Sequence, residues 1–319
     1  MRTLAVIWRW GAALLWAVFT VVWLLVCLVG QNWPPVAKLV YLPPLFGPVV
    51  LACYALPGWW FGRRWAGILL FSSLAAMGPG LGWRSHARSA DRVRDDHSFS
   101  LNVVTVNRGQ HHGHEISNFL WQQQPDVVAI QDGFTPVAYP AGAKALLELP
   151  HVVRLGEFVL VSRFPVLESS LLKLQVRRQD GSVRTWFHSA RHVLETKAGQ
   201  IVVYNVHLPS PRFALTGGKG PEVLREDYWG LQGQVLEELL HYIESETLPT
   251  IALGDWNIPA LGPRYRRMSR RLVDAHAEGG RGYGFTVPGD VKHWLAFRQP
   301  WLRLDYIFTN RQWEVERCV

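Results

Sequence analysis

The soluble part of the chain is organised around residues 250–257, which read TIALGDWN. Residues 250–253 form a short apolar run of the kind that makes a buried strand, and the polar sequence GDWN ends it. The same pattern recurs at residues 101–106, 127–130, 201–206 and 303–308. Between two of these runs, residues 231–243 place apolar side chains on one face of a long helix. Strands that share a core with helices predict an α/β domain.

Polar side chains stand at the ends of these apolar runs. They are Asn107, Gln131 with Asp132, His207, Asp255 with Asn257 and, inside the last run, Asp305. A polar residue after a strand is by itself more often part of a turn than of a site, and a lone histidine there is more often structural. Ligand sites nevertheless gather at strand ends, where the scaffold is rigid and the chain changes direction. Five such positions of complementary type predict a functional site.

The composition divides the chain into two parts. Of its 319 residues, 49% are hydrophobic and 18% are charged, which excludes a disordered chain. Residues 1–80 contain no Asp or Glu and five of the 33 Lys and Arg residues, so the remainder has 28 basic and 25 acidic residues. This balance is ordinary for a soluble domain and does not favour nucleic acid as the partner. The three cysteines cannot form a disulfide framework.

Three apolar segments in the first part predict about three transmembrane helices. The spans lie at about residues 8–29, 37–56 and 59–79, and eight of the 16 Trp residues fall in or beside them, as in the aromatic belts of membrane proteins. A cleaved signal peptide is excluded because the first run is too long and two more follow it. A buried soluble core predicts charges that break up the runs, and these charges are absent from the sequence.

Basic residues at the ends of the spans predict the orientation. Arg2 and Arg9 precede the first span, and an arginine pair at 63–64 lies between the second and the third, which places both positions in the cytoplasm. With three spans, the C-terminal domain then lies on the extracytoplasmic side of the cell membrane. Four arginines just beyond the third span oppose this orientation, although long domains are translocated despite such charges. The polar, unpatterned residues 81–99 read as a linker.

Six motifs of the soluble part resemble, in order, the motif series of the endonuclease/exonuclease/phosphatase superfamily. They are VVTVN, PDVVAIQD, SRFPV, YNVHLPSP, LGDWN and RLDYIF, and they cover about residues 100–310. The resemblance implies a four-layered α/β sandwich over residues 100–319, in which two packed mixed sheets are flanked by helices. The apolar region, residues 1–80, resembles that of bacterial membrane-anchored members. The family includes deoxyribonucleases, abasic-site endonucleases, sphingomyelinases and inositol-polyphosphate phosphatases.

The resemblance also implies a divalent metal site. Asp132 takes the position of the family's metal carboxylate, and Asn107 would assist both the metal and the phosphate. Carboxylate and amide oxygens with open water positions suit Mg²⁺, or Mn²⁺, better than zinc. Phosphoester hydrolysis uses such a metal to screen the charge of the phosphate.

The catalytic residues that the resemblance implies are Asp255, His207, Asn257, Asp305 and Asn107. Asp255 would orient or deprotonate the attacking water, and Asn257 would donate to the phosphoryl oxygens. His207 would bind the phosphate or stabilise the transition state. Asp305 would orient a catalytic histidine that lies further along the chain.

Two positions depart from the family pattern. The family has Glu where this chain has Asp132, whose carboxylate reaches one methylene less far. The family also ends in an S-D-H motif, and no such motif follows the last strand before Val319. Three interpretations stay open: a truncated form of an active protein, which we favour, a degenerate member, or a substitution by His276 or His293.

These observations lead to one functional hypothesis and one alternative. The hypothesis is a membrane-anchored, divalent-metal-dependent phosphoesterase that hydrolyses a phosphodiester, a phosphomonoester or a pyrophosphate. Its substrate would be a lipid phosphate or a nucleic acid, and the near-neutral charge of the soluble part argues against tight DNA binding. The alternative is a degenerate or truncated member that acts as a non-catalytic membrane-bound binding protein. No protein partner can be inferred.

Overall fold

Two packed β-sheets form the centre of the soluble part. The computed structural model describes residues 1–85, 99–109, 120, 122–133, 149–178, 180–216, 227–288 and 299–319. The strands are β1 (Val103–Asn107), β2 (Val127–Gln131), β3 (His151–Leu155), β4 (Phe158–Ser162), β5 (Val166–Leu171), β6 (Leu174–Arg177), β7 (Val183–Trp186), β8 (Ser189–Thr196), β9 (Gly199–His207), β10 (Thr250–Asp255), β11 (Val273–Asp274) and β12 (Asp305–Thr309). The α-helices are α1 (Arg2–Leu28), α2 (Pro34–Ala37), α3 (Phe46–Ala55), α4 (Gly58–Phe61), α5 (Arg63–Ala75), α6 (Arg212–Thr216), α7 (Tyr228–Glu244), α8 (Pro263–Arg271) and α9 (Ala275–Gly279).

Both larger sheets are mixed. In the four-stranded sheet, with the order β1-β2-β4-β3, the strands β1 and β2 are parallel and the other neighbours are antiparallel. In the six-stranded sheet, with the order β11-β12-β10-β9-β8-β5, the strands β9 and β10 are parallel and the other neighbours are antiparallel. The strands β6 and β7 form a separate hairpin. Because parallel neighbours end at the same edge of a sheet, each parallel pair brings two of the predicted polar strand ends side by side.

The two sheets pack through the alternating side chains of their strands. Val127 and Ala129 of β2 face the six-stranded sheet, where they share a buried cluster with Val203 and Leu253. Val128, between them, belongs to a different cluster on the outer face of its sheet. This alternation is the period of two that a strand imposes on its side chains.

Helix α7 covers the outer face of the six-stranded sheet. Its apolar side, predicted over residues 231–243, packs with Val202 and Tyr204 of β9. The outer face of the four-stranded sheet carries an apolar cluster that includes Leu120. Residues 110–119 and 134–148, which the predicted fourth layer requires, lie outside the described residues. The α/β fold with two packed mixed sheets and helices is confirmed, and the fourth layer stays a prediction.

The N-terminal region contains fewer membrane-spanning helices than the three predicted. Among the described residues, α1 is the one helix long and apolar enough to cross a bilayer, with a mean hydropathy of 2.4. The segments Pro34–Tyr41 and Phe46–Ala55 are together long and apolar enough to cross a bilayer, but they are bent by 74° relative to each other. Pro43 and Pro44 lie between the two segments and interrupt the helix, because proline donates no backbone hydrogen bond. Helix α5 has 13 residues and is about 20 Å long, short of the ~30 Å hydrocarbon core. The prediction of three spans is therefore wrong, and one or two are supported.

The end of α1 and the turns after it pack onto the soluble part. Val26, Val36 and Tyr41 belong to the same buried cluster as the apolar side of α7. The ring centroid of Tyr41 lies 5.7 Å from that of Trp229. The residues around the end of α1 and the following turns therefore share a hydrophobic core with the soluble part, whereas α1, α3 and α5 also form a separate buried cluster that includes Trp8, Leu51 and Leu69.

The predicted linker, residues 81–99, begins in contact with the soluble part. Arg84 and Gly282 form a backbone bridge, and the rings of Trp83 and Tyr283 lie 4.8 Å apart. Residues 86–98 lie outside the described residues, so the rest of the linker stays a prediction.

A buried histidine makes the stability of the fold depend on pH. His192 of β8 is fully buried, and its Nδ1 lies 2.8 Å from the hydroxyl oxygen of Ser169. Burial lowers the pKa of His192 from 6.5 to about 4. The unfolded chain therefore takes up this proton at a higher pH than the folded chain. The contribution of His192 to stability is complete above pH 6.5 and is lost as the pH falls toward 4.

We expect the free energy of unfolding to decrease by about 3 kcal/mol through this group as the pH falls across that interval. Urea unfolding of the detergent-solubilised full chain, followed by Trp fluorescence near neutral pH and again in mild acid, measures the change. His192→Gln removes this part of the pH dependence, because glutamine keeps a hydrogen-bonding group but does not titrate. His241→Gln, at an exposed histidine of α7, is the matched control and leaves it unchanged. An equal pH dependence in the two variants contradicts the prediction.

Candidate active site

The ends of strands from both sheets meet at one place. Asn107 and Gln131 are neighbours at the carboxyl ends of the parallel strands β1 and β2. In the other sheet, Asp255 at the end of β10 lies beside His207 of β9 and opposite Asp305, the first residue of β12. The side-chain Nδ2 of Asn107 donates to Oδ2 of Asp255 over 2.8 Å and joins the two sheets. The structure thus brings together five residues that the sequence placed at the ends of separate apolar runs or, for Asp305, inside one.

Both carboxylate oxygens of Asp255 accept hydrogen bonds. Oδ2 accepts from Asn107, and Oδ1 accepts from the backbone N–H of Asn257, each over 2.8 Å. Asp255 is 8% exposed, and its burial raises its pKa against the opposing charge of His207. Gly254 has a φ of 149°, and a Cβ there would lie 1.9 Å from a carbonyl oxygen of β9. The glycine of GDWN therefore allows the close approach of β9 and β10 on which the position of Asp255 depends.

Asn257 links the two loops that follow β9 and β10. Its φ is 50°, in the left-handed region that asparagine tolerates better than most residues. Its Nδ2 donates to the carbonyl oxygen of Leu208 over 2.9 Å, and the residue is 4% exposed. In the structure this amide therefore holds the loop after His207 in place. Its donation to phosphoryl oxygens stays a prediction.

His207 is paired with a carboxylate that the sequence did not reveal. Its Nδ1 lies 2.9 Å from Oε2 of Glu157, which is in the turn between β3 and β4. Burial acts to lower the pKa of His207, but Glu157, together with Asp255 and Asp132, outweighs it and raises that pKa to about 9. His207 is therefore positively charged at neutral pH. Glu157 belongs to no recognisable motif, and the one signal that could have found it is its place in the short break between the mostly apolar runs at residues 152–155 and 158–161.

Asp132, Glu157 and His207 form a candidate metal site. Each carboxylate offers one oxygen ligand, and these oxygens lie within 4.8 Å of each other and of a ring nitrogen of His207, which can bind a cation only in its neutral form. The two carboxylates supply the hard oxygen ligands that fit Mg²⁺ or Mn²⁺. Asp132 has a φ of 56° directly after β2, so the predicted metal carboxylate lies in a sharp change of chain direction. The side-chain oxygen of Asn107, the other predicted ligand, accepts the backbone N–H of Gly109 over 2.8 Å.

Asp305 is the second carboxylate of the six-stranded sheet at this site, and it is half-buried. Burial and the neighbouring charge of Asp255 raise the pKa of Asp305 well above its usual range, and the hydroxyl of Thr286 and the charge of His207 oppose this rise. The two carboxyl groups are direct neighbours on adjacent strands. The raised pKa favours the protonated form of Asp305, which lessens its repulsion with Asp255.

A cleft of about 1330 Å³ opens beside these residues, and its lining includes Asn107, Asp255, His276 and Asp305. The sequence offered two histidines as partners for Asp305. His276 lines the cleft, but its Nε2 lies 3.1 Å from the carbonyl oxygen of Arg281. His293 lies outside the described residues. The substitution of either histidine for the family's terminal one stays a prediction.

Two buried amides hold the sheets together beneath the site. Nε2 of Gln131 donates to Oδ1 of Asn205 over 2.7 Å. Nδ2 of Asn205 donates in turn to the carbonyl oxygens of Ile130 and Val159 over 3.1 and 3.2 Å. Both amides are fully buried. Gln131, one of the polar strand-end residues, is thus a contact between the sheets that fixes their relative position at the site.

The fold and the site define an α/β protein with two packed mixed sheets and a carboxylate-rich site at the meeting point of their strand ends. Residues 98–319 match the sequence model of the Endonuclease/Exonuclease/phosphatase family. This match covers more than half of the chain, and the chain belongs to that family. The predicted family resemblance is confirmed. No curated protein sequence matches the chain.

Several solved structures are similar to this chain. An endonuclease/exonuclease/phosphatase family protein from Leptotrichia buccalis has a TM-score of 0.46 and 18% identity, over 68% of this chain and 90% of that one. Sphingomyelinase C from Streptomyces griseocarneus has a TM-score of 0.46 and 16% identity, over 70% and 86%. An AP endonuclease from Archaeoglobus fulgidus has a TM-score of 0.44 and 19% identity, over 69% and 90%. At these low scores and identities, the likenesses carry no argument about the substrate.

Proposed function

We propose that the chain is a membrane-anchored, divalent-metal-dependent phosphoesterase. The observation that carries the proposal is the single site at which Asn107, Asp255, Asp305 and the His207–Glu157 pair meet. It combines a fixed carboxylate, a positive charge and a set of oxygen ligands, which are the parts that phosphoester hydrolysis requires. Membership in the family supports a hydrolase of phosphate esters as the general class.

Asp255 is the group that activates the attacking water. Its two hydrogen bonds, from Asn107 and from the N–H of Asn257, hold the carboxylate in one orientation. Burial raises its pKa and so makes its oxygens better proton acceptors than those of an exposed aspartate. Asp305 is paired with Asp255 on the adjacent strand, and its role would be to orient a catalytic histidine.

His207 is the cationic group that binds the phosphate. Its Nδ1 is bound to Glu157, which leaves the Nε2–H as a donor for a phosphoryl oxygen. Its pKa of about 9 keeps it charged at neutral pH. A donor that is already oriented stabilises developing negative charge without further reorganisation. Asn257 supports this group through its bond to the carbonyl oxygen of Leu208.

Asp132 and Glu157 are the residues that would hold a divalent cation. Their oxygens and the imidazole lie within 4.8 Å of one another, and hard oxygen ligands favour Mg²⁺ or Mn²⁺ over softer metals. When bound, the cation screens the phosphate charge and polarises the phosphoryl group. Glu157 would add a second carboxylate beside Asp132, whose side chain is one methylene shorter than the family's glutamate.

The location and the substrate are part of the same proposal. Helix α1 anchors the chain in the cell membrane, residues 81–99 form the linker, and residues 100–319 form the catalytic domain on the extracytoplasmic side. A lipid phosphate or pyrophosphate and a nucleic acid are the two substrate classes. The soluble part has 28 basic and 25 acidic residues, and this weak charge supports the lipid class, because tight nucleic-acid binding requires many phosphate contacts.

A metal-dependent hydrolysis assay tests this function. The detergent-solubilised full chain is given bis-p-nitrophenyl phosphate, or a lipid pyrophosphate, with Mg²⁺, with Mn²⁺ or with EDTA. We expect turnover with a divalent metal, its loss in EDTA and its return when metal is added in excess. A folded chain that shows no turnover with either metal would favour the non-catalytic binding protein instead.

A further inference from the structure

The N-terminal region contacts the loop that orients Asp255. The hydroxyl of Tyr41 donates to the backbone carbonyl oxygen of Asn257 over 2.9 Å, and Tyr41 is 7% exposed. Nε2 of Gln232, in α7, donates to the same oxygen over 3.0 Å. One carbonyl of the GDWN sequence is thus held by a donor from the N-terminal region and by a donor from the soluble part.

A buried hydrogen-bond network extends from this carbonyl to the end of α1. Oε1 of Gln232 accepts from Nη1 of Arg264 over 2.6 Å. Nη2 of Arg264 donates to the carbonyl oxygen of Gln31, just after α1, over 3.2 Å. Gln31 and Gln232 are fully buried, and Arg264 is 6% exposed. Buried polar groups that are bonded to one another in this way form a rigid unit.

The same network holds the loop that follows His207. The hydroxyl of Tyr228 donates to the carbonyl oxygen of Pro209 over 2.6 Å. Nε2 of Gln232 lies 2.6 Å from that hydroxyl and 3.3 Å from the same carbonyl oxygen. The network therefore supports both strand-end loops of the site from the side that faces the N-terminal region.

The position of Asn257 matters because its backbone N–H orients Asp255. Asn257 has a φ of 50°, so its peptide is held in an uncommon conformation by its surroundings. Removing one of the two donors to its carbonyl loosens this peptide. A small displacement of a catalytic carboxylate lowers the rate without changing which residues are present.

We propose that the N-terminal segment 31–41 is a positioning element of the active site, and that the Tyr41 hydroxyl acts on hydrolysis through Asn257. This inference rests on the proposed function. The membrane-proximal segment is then part of the catalytic geometry and not merely an anchor. Tyr41 is a positioning residue, because it is buried beneath the loop.

The test compares Tyr41→Phe with Tyr54→Phe in the full chain in detergent. Phenylalanine removes the hydroxyl and keeps the ring, and Gln232 still donates to the Asn257 carbonyl, so no acceptor is orphaned. Tyr54 lies in the N-terminal helices, where its ring stacks on Trp8 with centroids 5.7 Å apart. We expect kcat for bis-p-nitrophenyl phosphate with Mn²⁺ to fall about tenfold in Tyr41→Phe with KM unchanged, and both constants to be unchanged in Tyr54→Phe.

Hydrogen exchange provides a readout that does not need activity. In Tyr41→Phe, we expect faster exchange in peptides that cover residues 255–258, and unchanged exchange in peptides from the middle of α7. If the wild-type chain shows no turnover, the proposed function fails, and the exchange measurement alone decides the inference. If the enzyme is active, equal kcat values in Tyr41→Phe and Tyr54→Phe overturn the inference. If the chain is inactive, exchange at residues 255–258 that is no faster in Tyr41→Phe than in the wild type overturns it.

Discussion

Asp255→Asn is expected to lower kcat for bis-p-nitrophenyl phosphate by about a thousandfold, because a positioned general base contributes roughly 10²–10⁴ to the rate. The oxygen of the new amide can still accept the N–H of Asn257. Its NH₂ group cannot take a proton from water, and it meets the donating amide of Asn107 with a second donor. The measurement is kcat and KM of the detergent-solubilised full chain with saturating Mn²⁺.

Asp180→Asn is the matched control for this change. Asp180 is exposed in the hairpin between β6 and β7, where its carboxylate accepts the N–H of Ser182 over 2.9 Å. The same loss of one charge at that position should leave kcat unchanged. Asp255→Asn must also unfold at nearly the wild-type temperature, since it loses one hydrogen bond and no packing. If it keeps more than a tenth of the wild-type activity, Asp255 does not activate the water.

The strand ends could be read from the sequence because they follow from local patterns. Each predicted strand is a short apolar run that stops at a polar residue, and in a mixed sheet the ends of parallel neighbours lie at one edge. This pattern predicts the positions of Asn107, His207 and Asp255, whereas Asp305 is predicted as a polar residue inside the last run, and the structure brings all four together. Their roles follow from the family resemblance and from chemistry, and they stay proposals until variants are measured.

Glu157 and Tyr41 could not be read from the sequence because their importance depends on tertiary contacts. Glu157 lies in the turn between β3 and β4, where a glutamate is ordinarily solvated. It contacts His207 only because the fold brings this turn next to the end of β9. Tyr41 lies in an apolar stretch where a tyrosine suggests a membrane interface. Its bond to Asn257 joins residues that are 216 positions apart in the chain. No periodicity or motif contains such a pair.

The number of spans was predicted wrongly for a local reason. All three runs are apolar and contain no Asp or Glu, but the helices of the second and third are interrupted. Pro43 and Pro44 interrupt the second run, and Gly62 separates α4 from α5 in the third. A segment can therefore be apolar over the required length and still lack one helix long enough to cross a bilayer. Hydropathy measures the apolar length of a segment, but it does not measure whether the segment forms one continuous helix.

Glu157→Gln and His207→Gln are each expected to lower kcat/KM by about a hundredfold, and the double variant by about the same factor. The reason is that Glu157 acts on the phosphate only through the charge and orientation of His207. Either single substitution therefore removes the whole contribution of the pair, and the second substitution removes nothing further. The bond between them is 2.9 Å long, and their side chains are 17% and 15% exposed. The double-mutant cycle is measured with the full chain at saturating metal. Effects that multiply to about 10⁴ would show that the two residues act independently.

The metal concentration separates the two roles that the structure allows Glu157. Glu157 is bound to His207 and is also one of the two carboxylates that would hold the cation. If it chiefly holds the cation, a large excess of Mn²⁺ restores the activity of Glu157→Gln and leaves His207→Gln low. If it chiefly orients the imidazole, neither variant recovers. Glu195→Gln and His241→Gln, at exposed positions on β8 and α7, make the same chemical changes away from the site and should show neither effect.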